Sequence, residues 1–226
     1  MAFDTKTFKT RTLTAIVFAI AMLAGLLWNQ WSFIILFTII HFGCWYEFIK
    51  LLRKIDPVNY KVKSLLGLFY ITLPVLLMIF MRINSPQDQE EFFLKILPCT
   101  IVFSIWINDT MAYIVGSFIG KSPLSKISPK KTWEGTLGGI ILAVVVIALI
   151  GNAIGYYSLA DWIVIPLLCA IFGTFGDLLE SKIKRMASVK DSGTLMPGHG
   201  GFLDRFDSLL IAIPFVFLYY FLFMRQ

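Results

Sequence analysis

The apolar positions of this chain fall in long, nearly unbroken runs, without the alternation of half-buried strands. A helix needs about 20 apolar residues to cross a bilayer, and lipid offers no partner for an unpaired backbone N–H or C=O. The runs therefore predict an all-α polytopic membrane protein; no stretch has the alternating segments of a membrane barrel. Seven spans are expected, at about 12–29, 31–51, 64–83, 93–116, 135–155, 160–180 and 205–224. Lys6, Lys9 and Arg11 precede the first run, as in a signal peptide. That run is longer than a typical signal core and a second follows almost at once, so a retained helix is expected.

Charge then orients the spans. Seventeen of the 20 Lys and Arg residues fall on one side if the segments alternate: before span one, and between spans two and three, four and five, and six and seven. The other side keeps Arg82, Lys95 and Arg225 and the acidic "QDQEE". Basic loops stay in the cytoplasm, so the N-terminus is expected inside and the C-terminus outside.

Composition agrees with this reading and narrows it. The 226 residues are 58% hydrophobic and 15% charged, with mean hydropathy +0.78. The net charge of +6 reports topology, since no soluble basic domain exists to hold nucleic acid. Cys44, Cys99 and Cys169 are scattered in apolar runs without metal or redox spacing, and read as small buried hydrophobes. Residues 1–92 hold three nearly featureless spans and read as packing and anchorage. Residues 93–226 hold four, and polar motifs concentrate there after residue 104.

Four stretches carry candidate chemistry. Asp109 lies in an apolar run beside Asn108 and Thr110, and a carboxylate there marks a functional site by default. Gly116 and Gly120 with Lys121 allow close approach of a helix or a ligand, and small-residue helix packing explains them equally well. "SPKKTWEG" (Ser128–Gly135) is a basic loop whose Lys130 and Lys131 suit phosphate, with Glu134 near a helix start. In "FGDLLESKIKR", a continuing helix puts Asp177, Glu180, Ser181 and Lys184 on one face at the membrane boundary.

The last stretch is "PGHGGFLDRFDS". Pro197, Gly198, Gly200 and Gly201 exclude regular helix around His199, and Asp204 and Asp207 lie one turn apart beside Arg205. Deep acids among many cations suit Mg²⁺ completed by substrate phosphates, with Lys and Arg on the remaining oxygens. The reaction class this favours is phosphoryl or nucleotidyl transfer. A cation transporter would also place acids inside spans, but would gain little from the basic loops and the Gly-rich turn.

These residues resemble the phosphatidate cytidylyltransferases (CDP-diacylglycerol synthases). The C-terminal signature of that family is matched by Ser181, Lys184, Arg185, Lys190, Asp191, Gly193, Leu195, Gly198, His199, Gly200, Gly201, Asp204, Arg205 and Asp207. Upstream matches are Asp109, Ala112, Tyr113, Gly116, Gly120 and Lys121, then Ser128, Pro129, Lys131, Thr132, Glu134 and Gly135, then Gly176, Asp177 and Glu180. The resemblance covers residues 104–208; Asn108 and Met111 depart from it, and the N-terminal half is shorter than in many members.

The resemblance implies that CTP and phosphatidate give CDP-diacylglycerol and pyrophosphate with Mg²⁺, in a homodimer. It implies metal at Asp177 and Asp204, and phosphate charge at Lys184, Arg185, Lys190 and Arg205. Asp207 is expected to support the metal or hold a second cation. Substrate contacts are expected from Asp109, Lys121, Ser128, Lys131, Glu180, Ser181, Lys190, Asp191 and the His199, Gly200, Gly201 turn, whose backbone would approach the triphosphate. A related transferase acting on a polyprenyl or ether lipid phosphate is the alternative within enzymes. The motif of the CDP-alcohol phosphotransferases is absent.

Overall fold

The structure, a computed structural model, describes residues 5–84, 91–194 and 200–224. They form helices α1 (Thr5–Leu27), α2 (Gln30–Ile55), α3 (Tyr60–Ser64), α4 (Leu73–Ile83), α5 (Glu91–Ile119), α6 (Trp133–Ile154), α7 (Leu159–Met186) and α8 (Leu203–Tyr219). A helix therefore underlies every expected span. Six helical stretches are long and apolar enough to cross a membrane: Gln30–Ile55, Tyr60–Ile83, Lys95–Ile119, Trp133–Ile154, Leu159–Met186 and Leu203–Met224. Thr12–Leu27 is a shorter apolar helix.

Two boundaries differ from expectation for local reasons. The third stretch is broken by a π-helical turn at Leu68–Thr72. Pro74 follows it and has no N–H to return to the preceding turn, so the regular ladder cannot run through. The sixth continues past residue 180 to Met186. This keeps Asp177, Glu180, Ser181 and Lys184 on one helix, as the spacing requires.

The chain forms two compact units, Met1–Val75 with Ile183–Phe206, and Leu76–Lys182 with Asp207–Gln226. This cut follows packing, whereas the expected division at residue 92 follows role. In the first unit, α2 carries the buried Phe33, Phe37, Ile40, Cys44 and Phe48. Phe33 stacks on Phe37, and Phe48 meets Tyr70 of the π-helical turn. Thr72 receives the indole N–H of Trp45 at 2.9 Å and lies 2.9 Å from Nε2 of His41.

In the second unit, α5 and α6 are in close backbone contact. A methyl group at Gly135 would come within 2.7 Å of the Ala112 carbonyl, and one at Gly139 within 2.8 Å of the Asn108 carbonyl. Small residues four apart give such a seam in lipid, where packing rather than the hydrophobic effect joins helices. Gly116 faces Gly135 across it, so helix packing accounts for Gly116. Elsewhere in the unit Trp162 packs with Ile96 and Ile147, and Phe172 stacks on Phe215. Tyr219 donates to Asp161 at 2.8 Å, tying α8 to the start of α7.

Candidate active site

The candidate residues fall into two clusters, one in each unit. In the second unit, Asp177 and Glu180 lie one turn apart on α7, and Asp207 belongs to α8. Their ligand oxygens lie within 4.8 Å of one another. Glu180 is fully buried, Asp207 is 7% exposed and Asp177 is half-buried. Gly176 makes this possible: any side chain there would overlap the backbone of Asp207 and Ser208. Asp177 is ion-paired with Lys131. Three carboxylates this close repel unless a cation or a proton joins them.

Lys131 comes from a compact basic loop at 121–132. Leu124 N donates to the Lys131 carbonyl at 2.7 Å and Trp133 N to the Ser122 carbonyl at 2.9 Å, closing the loop. Glu134, in the first turn of α6, accepts the backbone N–H groups of Lys121 and Ser122 at 3.2 Å. Thr132 caps the same helix through the Gly135 N–H at 3.1 Å. Lys121, Lys126 and Lys130 are exposed, while Ser128 and Lys131 are half-buried. Asp109 is exposed on α5, with its Oδ1 3.3 Å from the side-chain amide of Asn108.

The first unit holds the other cluster. There α7 ends with Ser188 in the left-handed region (φ 53°), which turns the chain towards Ser192. Asp204 accepts Lys184 Nζ on Oδ1 at 2.6 Å. Its Oδ2 accepts Ser192 N at 2.9 Å and Gly201 N at 2.8 Å, and lies 2.9 Å from the Ser192 hydroxyl oxygen. Gly200 is left-handed (φ 83°), where only glycine is unstrained, and a methyl group there would also meet Asp204 at 2.5 Å. Arg185, Lys190, Asp191 and Arg205 are exposed, and Ser181, in the second unit, is half-buried. His199 lies outside the described residues.

Of the two acids that the resemblance assigns to metal, Asp177 thus stands among carboxylates and Asp204 among donors. One participant was missed by the sequence reading. Glu47 of α2 is 3% exposed and accepts hydrogen bonds from Ser192, Phe202 and Leu203 in the first unit. The signal was present: an acid inside the apolar "GCWYEFIKLL" is as conspicuous as Asp109. Spans one to three are not featureless.

Could these acids hold a divalent cation? The cluster of Asp177, Glu180 and Asp207 offers only carboxylate oxygens, the donor set that Mg²⁺ prefers. The residues present fit.

Comparison with known proteins agrees with the residues. The Cytidylyltransferase family matches residues 56–223. A phosphatidate cytidylyltransferase of Rickettsia typhi is 32% identical over 226 residues, covering 96% of this chain and 93% of its own. One from Bacillus subtilis is 48% identical over 118 residues, 50% of this chain and 43% of that protein. A chloroplastic phosphatidate cytidylyltransferase of Arabidopsis thaliana is 41% identical over 126 residues, covering 55% of this chain and 32% of that one. The chain therefore belongs to the cytidylyltransferase family, among the phosphatidate cytidylyltransferases that its motifs resemble.

Proposed function

We propose that this protein is an integral-membrane nucleotidyltransferase that converts CTP and phosphatidate to CDP-diacylglycerol and pyrophosphate. The carrying observation is the buried acid cluster of Asp177, Glu180 and Asp207, with Lys131 of the basic loop paired to Asp177. Grouped acids and neighbouring lysines together suit a phosphate-rich substrate accompanied by a metal, rather than either alone.

A phosphate oxygen of phosphatidate attacks the α-phosphorus of CTP. The new P–O bond forms as the bond to the β-phosphate breaks, and pyrophosphate leaves. The attacking oxygen is already anionic, so the chain needs no strong general base. Its work is positioning and neutralisation. Lys121 and Lys131 from the basic loop balance phosphate charge in the unit that holds the acid group, and the resemblance implies the same role for Lys184, Arg185, Lys190 and Arg205. Asp177, Glu180 and Asp207 would hold Mg²⁺, which when bound would supply Lewis-acid charge for phosphoryl chemistry. Asp204, which the resemblance also assigns to metal, would offer a cation its Oδ1, which here accepts Lys184.

The proposed topology has seven spans, with α1 as the first. Its apolar part, Thr12–Leu27, is shorter than the other six stretches, and Lys6, Lys9 and Arg11 just before it would lie at the cytoplasmic surface. The basic loops and the site face the cytoplasm of an inner membrane, and the protein acts as a homodimer. The test is turnover by purified protein in detergent with phosphatidate, labelled CTP and Mg²⁺. CDP-lipid and pyrophosphate in equal amounts are expected. Transfer only to a different lipid phosphate overturns the substrate, and no transfer to any lipid phosphate overturns the reaction.

A further inference from the structure

Glu47 is a buried carboxylate in the last third of α2, where an unsatisfied charge would be very costly. Three donors meet it. Oε2 accepts the Ser192 hydroxyl at 2.6 Å and Leu203 N at 2.9 Å, and Oε1 accepts Phe202 N at 2.9 Å. Phe202 and Leu203 open helix α8, whose first N–H groups have no acceptor within their own helix. Their positive end also favours an anion. Glu47 therefore caps α8 from a helix 155 residues earlier in the chain.

The surrounding glycines are shaped to this carboxylate. A side chain at Gly193 or Gly201 would overlap Glu47, and the nearest atoms at both positions belong to Glu47. Neither glycine is left-handed, so space and not backbone conformation requires glycine there. One turn before Glu47, Gly43 leaves room for the Phe202 ring. The Gly-rich turn was expected to bring backbone close to a ligand, yet at Gly201 the room is filled by Glu47.

From Glu47 a continuous set of hydrogen bonds reaches charged groups of the motif. The Ser192 hydroxyl donates to Glu47 while the Ser192 backbone N–H donates to Asp204 Oδ2, and Asp204 Oδ1 holds Lys184. We propose that Glu47 is a positioning residue for cytidylyl transfer. It sets where α8 begins and, through Ser192, where Asp204 and Lys184 stand, without touching substrate. The proposal rests on the reaction proposed above and gives the N-terminal spans a share in it.

The test compares full-length wild type, Glu47→Gln and Gly193→Ala in detergent. Glutamine keeps the volume but turns one oxygen into a donor facing other donors. The Gly193 methyl group displaces the carboxylate without removing it. Both variants should elute as folded protein with kcat lowered about 100-fold, the cost of roughly 1 Å of misplacement, and KM for CTP nearly unchanged. Gly193→Ala should cost nothing further in a Glu47→Ala background, where its space is vacant. Wild-type kcat in Glu47→Gln overturns the proposal, as does a raised KM with kcat intact. Loss of folded protein in both variants makes Glu47 a stability residue only, which also overturns it. A wild type without product instead removes the reaction itself, and the positioning role with it.

Discussion

In the unit built from Met1–Val75 and Ile183–Phe206, every carboxylate oxygen of Glu47 and Asp204 accepts a hydrogen bond from a fixed donor. In the other unit, Asp177, Glu180 and Asp207 turn their oxygens towards one another within 4.8 Å. The residue type is the same and the physics is opposite. Acids surrounded by donors organise backbone: they begin a helix, close a turn and fix a lysine. Acids gathered together create a demand for positive charge, which Lys131 meets at Asp177 and a divalent cation would meet more fully.

The contrast breaks first at Asp207. Asp207→Asn keeps the volume and removes one charge of the acid group, so turnover of CTP to CDP-lipid should fall about a thousandfold while the protein stays folded. A fall of less than about tenfold would assign the chemistry to other residues. Glu134 sharpens the contrast from the other direction, because it holds loop backbone within the unit that contains the acid group. Glu134→Gln should raise KM for CTP about tenfold and change kcat less, since the loop lysines stay charged but lose their frame.

The smallest effect belongs to Asp56, between α2 and α3. Lys63 Nζ at 2.7 Å and the Asn59 N–H at 3.0 Å hold its carboxyl well below the ordinary value of 3.8. A depressed pKa stabilises the folded state above 3.8, and that contribution fades as pH falls from there towards the folded value. Asp56→Asn should therefore lower Tm by about 2 °C or less at neutral pH, with the difference shrinking in acid. Thermal unfolding across pH would show it.

The helices were legible because lipid permits little else: long apolar runs had to be helical, and the six spanning stretches follow them. The π-helical turn before Leu73 was not, since it depends on Pro74 and on Thr72 being held by Trp45. Asp177, Glu180 and Asp207 were readable one by one as acids in greasy surroundings. Their grouping needed Gly176, which lets the backbone of Asp207 approach α7. Glu47 was overlooked for a related reason. Its donors lie 145 to 156 residues away, and no local spacing connects "WYEF" with "GGFL". Gly193 and Gly201 were recognised as motif residues, but only the fold reveals that Glu47 takes up the space they leave.

Metal binding itself tests the difference between the two acid groups most directly. Mn²⁺ can stand in for Mg²⁺, and its paramagnetic resonance signal reports free ion in a titration of the purified full-length protein. A tight site is expected in wild type and in Asp56→Asn, weakened about tenfold or more in Asp207→Asn. Mn²⁺ bound as tightly by Asp207→Asn as by wild type would contradict a metal site at Asp177, Glu180 and Asp207.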